Sequence, residues 1–244
     1  HEIEKLTGIN RSRSQVRKFL KSIGMDRRKV GTVPAKVDIE KQKQFKEKEL
    51  EPRLAEAREG NRNVLFMDAA HFVLALFIGY LWSFGRLFIK SPSGRQRFNV
   101  LGAVDAVTHT MLTFENDSYI NAQSVCELLD KISEAYKESG KPTTIVLDNA
   151  RYQRCKLVFA KAEQLGIELL FLPPYSPNLN LIERVWKFTK KECLNSTYHE
   201  NFNSFSSKIS SFVGNMHTTH KADLQSLLSH KFQDFSKKEI RASG

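Results

Sequence analysis

Two short apolar runs, each followed directly by an aspartate, constrain the fold of this chain more than any other feature. Residues 63–67 read NVLFM and precede Asp68, and residues 143–147 read TTIVL and precede Asp148. Short, nearly continuous apolar runs are typical of strands that are buried inside a sheet. A charge directly after such a run costs free energy unless a partner or a cation compensates it. Both aspartates are therefore expected at or near the ends of buried strands, where ligands of open α/β sheets gather.

The sequence from Asn63 onward alternates between strand and helix patterns. Predicted strands cover 63–73, 74–82, 98–105, 110–115, 143–148 and 167–172. Predicted helices cover 121–138, 152–165 and 179–193, and one or two more cover 202–235. The apolar stretch at 72–82 is too short to span a bilayer, so buried strands explain it better. Strands followed by alternating helices and strands indicate an α/β domain with a mixed sheet.

Composition and charge point to a folded protein that binds a polyanion. Hydrophobic residues make up 41% of the chain, which excludes a disordered protein, and the net charge is +11. Residues 1–36 hold ten Lys and Arg against three Asp and Glu. Such a basic segment suits nucleic acid or an anionic membrane surface, and a solubilising tail is the alternative.

The N-terminal segment carries the signals of two short helices joined by a turn. A first helix is predicted to run to Leu6, and Gly8 forms the turn. Asn10 or Ser12 can cap a second helix, which ends near Gly24. The apolar side chains of the second helix share one face: Val16, Phe19, Leu20 and Ile23.

Basic side chains surround the opposite side of this second helix. The pattern is typical of a helix-turn-helix, whose second helix enters the major groove of DNA, and residues 1–24 would be a partial module of this kind. A generic basic helical hairpin is the alternative. The candidate DNA contacts on this helix are Arg11, Arg13, Arg17 and Lys18.

Residues 25–62 are predicted to be a basic linker followed by a charged helix. The linker carries Arg27, Arg28 and Lys29, which would contact phosphates or the minor groove. The helix at 38–59 is expected to break or kink near Pro52. Its mixed charges favour a solvated spacer, with an oligomer contact as the alternative.

A third acid, Glu183, lies on the helix that follows a proline-rich loop. Leu179, Ile182 and Trp186 can anchor this helix to the sheet, so that Glu183 projects toward the strand ends. Three carboxylates from two strands and a helix suit Mg²⁺. Two such ions about 3.5–4 Å apart support in-line displacement at phosphorus. Judged by their spacing alone, the aspartates could equally be turn or cap residues and the glutamate a solvated one.

Three segments together carry a resemblance to a known family. They read FMDAAHF at 66–72, VLDNARYQ at 146–153 and LPPYSPNLNLIERVWKFTKK at 172–191, and 34 residues separate Asp148 from Glu183. This combination strongly resembles the mariner-type DDE transposases, in the branch carried by bacterial insertion sequences. The resemblance covers residues 63–195 well and the N-terminal module more loosely.

The resemblance implies a cut-and-paste DNA transposase with a ribonuclease-H-like catalytic domain. That domain would span residues 63–200, with a helical tail at 201–244. The enzyme would bind terminal inverted repeats, cleave the transposon ends and join them to target DNA at TA dinucleotides. It would use two Mg²⁺ ions per site, with Mn²⁺ as a substitute.

The matching motif positions also imply roles for particular residues. Asp68, Asp148 and Glu183 would be the catalytic metal ligands. Asn149 and Asn180 would support these ligands or contact DNA.

Many relatives carry a histidine shortly after the second aspartate, where this chain has Gln153 and Arg154. Any role of that histidine is therefore absent or filled elsewhere in the chain. His71 is one candidate, and its alternative is a packed histidine near a strand end. Asp105 is a further candidate for a metal ligand, but its sequence context favours a turn residue. Glu192 lies too far along its helix to join the site.

The sequence leaves two other functions open. One is an inactive, nuclease-like DNA-binding regulator, and the other is a nuclease of ribonuclease H type that acts on RNA–DNA hybrids. For the transposase we expect double-stranded DNA as partner, a homodimer assembled on that DNA, and no membrane association. The three widely spaced cysteines without zinc-site spacing predict a reduced intracellular protein with buried thiols. The resemblance to insertion-sequence transposases implies a bacterial, nucleoid-associated protein of the cytoplasm.

Overall fold

The computed structural model describes residues 2–27, 34–74, 84, 88, 96–195 and 197–235. The chain divides into two compact units, His1–Ala35 and Lys36–Gly244. No described residue of the first unit is buried. The sheet and the hydrophobic core belong to the second unit.

The first unit consists of two short helices, α1 (Glu2–Thr7) and α2 (Arg13–Ser22). Ser12 caps α2, because its Oγ accepts from the Gln15 backbone N–H and the Gln15 side chain accepts from the Ser12 N–H. Gly8 adopts a positive φ of 69° in the connecting turn. The predicted pair of helices is confirmed, and Ser12 rather than Asn10 is the cap.

The second unit begins with a helical segment that changes its winding before Pro52. It comprises α3 (Ile39–Phe45), a π-helical turn (Lys46–Leu50) and α4 (Glu51–Arg58). Pro52 has no N–H to continue the regular ladder, and the preceding Glu51 N–H bonds to the Lys46 carbonyl. The predicted irregularity near Pro52 is therefore present as a widened turn.

This helical segment packs against the sheet, so its interpretation as a solvated spacer is wrong. Leu50, Leu54 and Ala57 are buried and belong to the main core. Their spacing of four and three residues places them on one face of the helix. The many charged residues occupy the remaining faces, where they concealed this apolar stripe.

The sheet has five strands, arranged in the order β3-β2-β1-β4-β5. The strands are β1 (Asn63–Val73), β2 (Arg97–Asp105), β3 (Met111–Asn116), β4 (Thr143–Leu147) and β5 (Ile167–Phe171). The first three pair antiparallel, whereas β4 pairs parallel to both β1 and β5. The predicted mixed sheet is confirmed.

Helices cover both faces of the sheet. They are α5 (Ala122–Tyr136), α6 (Lys156–Gln164), α7 (Ile182–Cys193), α8 (Phe202–Thr219) and α9 (Lys221–Leu227). Along β1 the side chains alternate: Phe66 and Phe72 face α4, α7, α8 and α9, and Leu65 and Met67 face α5 and α6. The sheet is thus the middle layer of three.

The remaining sequence expectations can be compared element by element. The strands predicted at 98–105 and 110–115 and the helices of the second half are present within one to three residues at most ends. The strand predicted at 74–82 lies outside the described residues, apart from Leu74. All three cysteines are free. Among the described helices, none combines the length and apolar character needed to cross a membrane.

A partly buried ion network joins α4 to the parallel edge of the sheet. The Glu168 carboxylate on β5 accepts from Arg53, from Arg62 Nη1 at 3.1 Å and from Thr144 Oγ1 at 2.6 Å. Hydrogen bonds from the Arg53 guanidinium are the main reason that the pKa of Glu168 falls to about 2. The network therefore stabilises the docking of the helical segment onto the sheet.

Glu168→Gln should destabilise the protein in a pH-dependent way. Near neutral pH we expect a loss of roughly 1–2 kcal/mol in the free energy of unfolding, after allowing for the partial exposure of this side chain. Because the folded-state pKa is depressed, this stabilisation is present above the ordinary pKa of 4.5 and fades as the pH falls toward 2. Urea unfolding at about pH 7 and about pH 3 measures the effect. Glu163→Gln, at an exposed carboxylate, is the control, and an equal loss at both pH values would contradict the assignment.

Candidate active site

The parallel pairing of β1 with β4 brings two acids side by side. Phe66 pairs with Val146 in this ladder, so the same register, continued for two residues, sets Asp148 beside Asp68. Asp68 lies within β1, and Asp148 is the first residue after β4. The expectation that Asp148 follows a buried strand is confirmed, whereas β1 continues past Asp68 to Val73.

The third acid reaches the same place from the first turn of α7. Ile182, Val185 and Trp186 of this helix are buried in the core. They fix the face of α7 that carries Glu183 against the sheet. Glu183 therefore projects toward Asp68 in the middle of β1 and Asp148 at the end of β4.

The three carboxylates line one cavity of about 360 Å³. Asp68 and Asp148 form its sheet side, Glu183 forms its helix side, and the proline-rich loop supplies most of the rest. The other lining residues are Asn149, Ala150, Leu172, Pro173, Pro174, Tyr175, Ser176, Pro177 and Asn180. The structure thus brings together the five residues Asp68, Asp148, Glu183, Asn149 and Asn180 that the sequence selected.

The electrostatics of this cavity disfavour the three negative charges in the protein alone. Burial raises the pKa of Asp68 to about 7, and the charges of Glu183 and Asp148 act in the same direction. The pKa of Tyr152 is also raised, first by burial and then by the charges of Asp68 and Asp148. The site is therefore one that a cation would stabilise.

Asp148 is held in place by two neighbours in the loop after β4. Its Oδ1 accepts from the Ala150 backbone N–H at 2.9 Å. Gln153 is fully buried, and both its amide oxygen and its amide nitrogen are satisfied when the nitrogen faces Asp148. In this orientation it donates to Asp148 Oδ1 at 2.5 Å and to the Asp148 carbonyl at 3.1 Å. Gln153, which stands near the position of the expected histidine, thus orients a carboxylate.

Asn149 ties the loop after β4 to the end of β5. Its Nδ2 donates to the Leu172 carbonyl at 2.5 Å, and its Oδ1 accepts from Arg154 Nη1 at 2.7 Å. The Arg154 guanidinium in turn lies over the Phe171 ring, 5.2 Å from the ring centroid. Asn149 and Arg154 therefore stabilise the wall of the cavity.

Asn180 carries an unsatisfied oxygen at the base of α7. Its side chain is buried, and Nδ2 lies 3.5 Å from the Met67 carbonyl of β1. Its Oδ1 has no hydrogen-bond donor. A buried acceptor in a cavity of carboxylates suits a donor that enters from outside the protein chain.

The proline-rich loop is anchored by a side chain that the sequence did not single out. Gln42 of α3 is buried, and its Nε2 donates to Ser176 Oγ at 2.9 Å and to the Tyr175 carbonyl at 3.2 Å. Asn178 Nδ2 donates back to Gln42 Oε1 at 3.2 Å. The loop therefore keeps its shape although Tyr175 has a positive φ of 59°.

The structure does not bring the other candidate acids and histidine to the cavity. His71 lies three residues from Asp68 on β1 and so on the opposite face, where its Nδ1 is 2.7 Å from Asn99 Oδ1. Asp105 serves a turn: its Oδ1 accepts from the backbone N–H groups of Val107 and Thr108. Glu192 lies near the end of α7, beside Lys191.

The candidate DNA contacts belong to the first unit. All four residues predicted on α2 or at its start are exposed, as is Arg27. Arg28 and Lys29 lie outside the described residues. A groove of about 660 Å³ on this unit is lined mainly by basic and apolar side chains, among them Arg11, Arg13, Arg17 and Leu20, and also by Glu4 and Asp26.

A comparison with protein families places this chain in a known class of enzyme. Residues 63–206, more than half of the chain, match the model of the DDE superfamily endonucleases. The chain therefore belongs to the DDE superfamily endonucleases. No match was found among curated proteins.

Comparison with solved structures identifies the fold. A pre-cleavage Mos1 transpososome matches with a TM-score of 0.63 at 12% identity, over 96% of this chain and 75% of that chain. The Mos1 mariner paired-end complex with Mn gives 0.61 at 13%, over 93% and 71%. The catalytic domain of Mos1 mariner transposase gives 0.53 at 13%, over 81% and 94%. The fold is thus the α/β, ribonuclease-H-like fold of that domain, and the fold prediction is confirmed.

Proposed function

We propose that this chain is a cut-and-paste DNA transposase. It binds the terminal inverted repeats of its element, cleaves the element's ends and joins the 3′-hydroxyl ends to target DNA at TA dinucleotides. The observation that carries the proposal is the cavity in which Asp68, Asp148 and Glu183 meet, in a chain of the DDE endonuclease family. The matched Mos1 structures include transposase bound to transposon ends and a strand transfer complex.

The donor atoms of the cavity fit hard divalent cations. Carboxylate and amide oxygens are the ligands that Mg²⁺ prefers, and Mn²⁺ accepts the same set. The unsatisfied Asn180 Oδ1 indicates that the site lacks a hydrogen-bond donor. The raised pKa of Asp68 indicates that it lacks positive charge. Mos1 complexes have been solved with Mn and with Mg. We therefore propose that two such ions bind here.

Asp68, Asp148 and Glu183 are the residues that would hold these ions. No three His, Cys, Asp or Glu side chains in the described part of the chain are arranged to enclose a metal ion. Mg²⁺ is commonly bound by one or two carboxylates, with substrate phosphates and water completing its shell. When bound, such ions activate an attacking water or 3′-hydroxyl and stabilise the leaving oxygen of a phosphodiester.

The protein's own residues orient the ligands and shape the cavity. Gln153 and the Ala150 N–H fix one oxygen of Asp148, which leaves the other free to face the cavity. Asn180 Oδ1 can accept a hydrogen bond from a water or hydroxyl that enters. The anchored proline-rich loop limits the space in which a DNA strand can lie. These restraints favour in-line geometry before any substrate arrives.

The basic first unit supplies the DNA-binding surface in this proposal. Arg11, Arg13, Arg17, Lys18 and Arg27 are exposed cations on or next to α2. A short helix, a turn and a capped basic helix are the parts of a helix-turn-helix, so we assign residues 1–24 to end recognition. Arg28 and Lys29 would extend this surface along the DNA backbone.

Two DNA ends must be cut, which leads us to propose a homodimer assembled on DNA. The paired-end complexes of Mos1 support this assembly only by analogy. The resemblance to insertion-sequence enzymes also leads us to propose a bacterial, nucleoid-associated protein of the cytoplasm. Sedimentation with and without end DNA tests the assembly. A complex that keeps one protein per DNA end under cleavage conditions would refute it.

Glu183→Gln should abolish DNA cleavage while it preserves DNA binding. Loss of one carboxylate from the metal-binding set should lower the cleavage rate by at least about a hundredfold. The assay follows Mg²⁺-dependent nicking of a plasmid that carries the repeats flanking the coding sequence, with binding measured on the same DNA. Glu192→Gln, on the same helix but outside the cavity, is the matched control. Normal cleavage by the Glu183 variant would refute the triad, and a wild-type protein that binds but never cleaves would favour the inactive regulator.

The double substitution Arg13→Ala and Arg17→Ala should weaken DNA binding and its salt dependence. Each lost phosphate contact lowers the slope of log affinity against log salt by about 0.9. Fluorescence anisotropy with a labelled end duplex across a salt series measures this slope. Lys137→Ala, which removes an exposed cation of the second unit, is the control. An unchanged slope in the double variant would show that α2 is not part of the DNA-binding surface.

A further inference from the structure

The indole of Trp186 carries a polar group that the fold leaves unsatisfied. Trp186 is only 3% exposed, and its Nε1–H has no hydrogen-bond acceptor. A buried donor without a partner costs free energy, because it has lost its hydrogen bonds to water. The ring also packs edge-to-face against Phe72, 6.2 Å between centroids, a contact that a phenylalanine could make without this cost.

The Trp186 ring lies against Gly102, the β2 residue that pairs with Asp68, so the unsatisfied N–H is near the Asp68 carboxylate. It is close enough to favour the charged form of Asp68, although it does not reach the carboxylate with hydrogen-bond geometry. Trp186 follows Glu183 by three residues on α7, so the two side chains lie on the same side of the helix. The indole therefore borders two of the three acids of the cavity.

A glycine on the neighbouring strand makes room for this ring. Gly102 of β2 pairs with Asp68 of β1. A Cβ at Gly102 would lie 2.7 Å from Trp186 Cη2 and 3.1 Å from Cζ2, and would also collide with Met111 Cε. No positive φ requires glycine at this position. The residue opposite Asp68 is thus small where the indole must approach β2.

We propose that Trp186 is a positioning residue for Asp68. When the carboxylate turns toward a bound cation, its other oxygen accepts a hydrogen bond from the Trp186 Nε1–H, which fixes the carboxylate's orientation. Gly102 allows this by letting the indole lie against β2 at the level of Asp68. The inference rests on the proposed metal-dependent function, but it concerns a residue outside the three acids.

Trp186→Phe tests the proposal because it keeps an aromatic ring and removes the donor. We expect the affinity for Mn²⁺, measured by calorimetry on the purified chain without DNA, to fall by about 10–100-fold. Val213→Ala, at a fully buried position of α8, is the control for lost packing: it should lower thermal stability and leave the Mn²⁺ affinity unchanged. Wild-type affinity in the Trp186 variant would overturn the proposal and leave the proposed function intact.

A second substitution distinguishes the effect of losing the N–H from the effect of changing the shape of the ring. The benzothiophene analogue of tryptophan, introduced at position 186 alone, keeps the size of the indole and replaces the N–H by sulfur. It should reproduce the loss of Mn²⁺ affinity even if the phenylalanine variant folds poorly. Full affinity in the analogue would overturn the proposal. Absence of Mn²⁺ binding by the wild-type chain would instead refute the proposed function, and this inference with it.

Discussion

The partial burial of the Asp68 side chain on one face of the sheet is the constraint on which the rest of the site depends. Asp68 lies on the face of β1 that also carries Phe66 and Ala70, both buried in the main core. Burial raises its pKa to about 7, and the nearby charges of Asp148 and Glu183 act in the same direction. The three acids therefore disfavour one another, so other contacts must hold together the elements that carry them.

Those other contacts come from each element separately. β4 pairs with β1 through a backbone ladder that requires no particular side chain, and this ladder sets the position of Asp148. α7 is fixed by apolar residues around Glu183, and the loop before it is fixed by Gln42 from a distant part of the chain. Because none of these contacts uses an acid of the cavity, the carboxylates remain available for a ligand.

The sequence predicted the parts of this arrangement that depend on local pattern. Apolar runs predicted β1 and β4, and the proline-rich string together with its spacing selected Glu183 over Glu192. The sequence also allows the face of each strand residue to be predicted. Asp68 and His71 are three residues apart, an odd separation, so their side chains lie on opposite faces of the sheet. The apolar stripe through Leu50, Leu54 and Ala57 was present too, but the surrounding charges concealed it.

The sequence could not predict contacts between residues that are far apart in the chain. Gln42 and Ser176 are separated by 134 positions, and no periodicity relates them. Gln153 lies close to Asp148 in sequence, but whether its amide turns inward depends on how the loop closes. The sequence predicted that Trp186 anchors α7 in the core, and the structure confirms this. The proposed role of its N–H depends on the pairing of Gly102 with Asp68, which no sequence pattern predicts.

The distribution of unsatisfied groups supports the same interpretation of the site. In the described part of the chain, three buried side-chain atoms lack hydrogen-bond partners, and two of them, Asn180 Oδ1 and Trp186 Nε1, belong to residues around Asp68. One is an acceptor without a donor and the other is a donor without an acceptor, and both residues lie near the Asp68 carboxylate. A hydrated cation would satisfy this set together, since it neutralises Asp68, its water can donate to Asn180, and the reoriented carboxylate can accept from Trp186. A core built only for stability would not gather such groups in one place, because each costs free energy on its own.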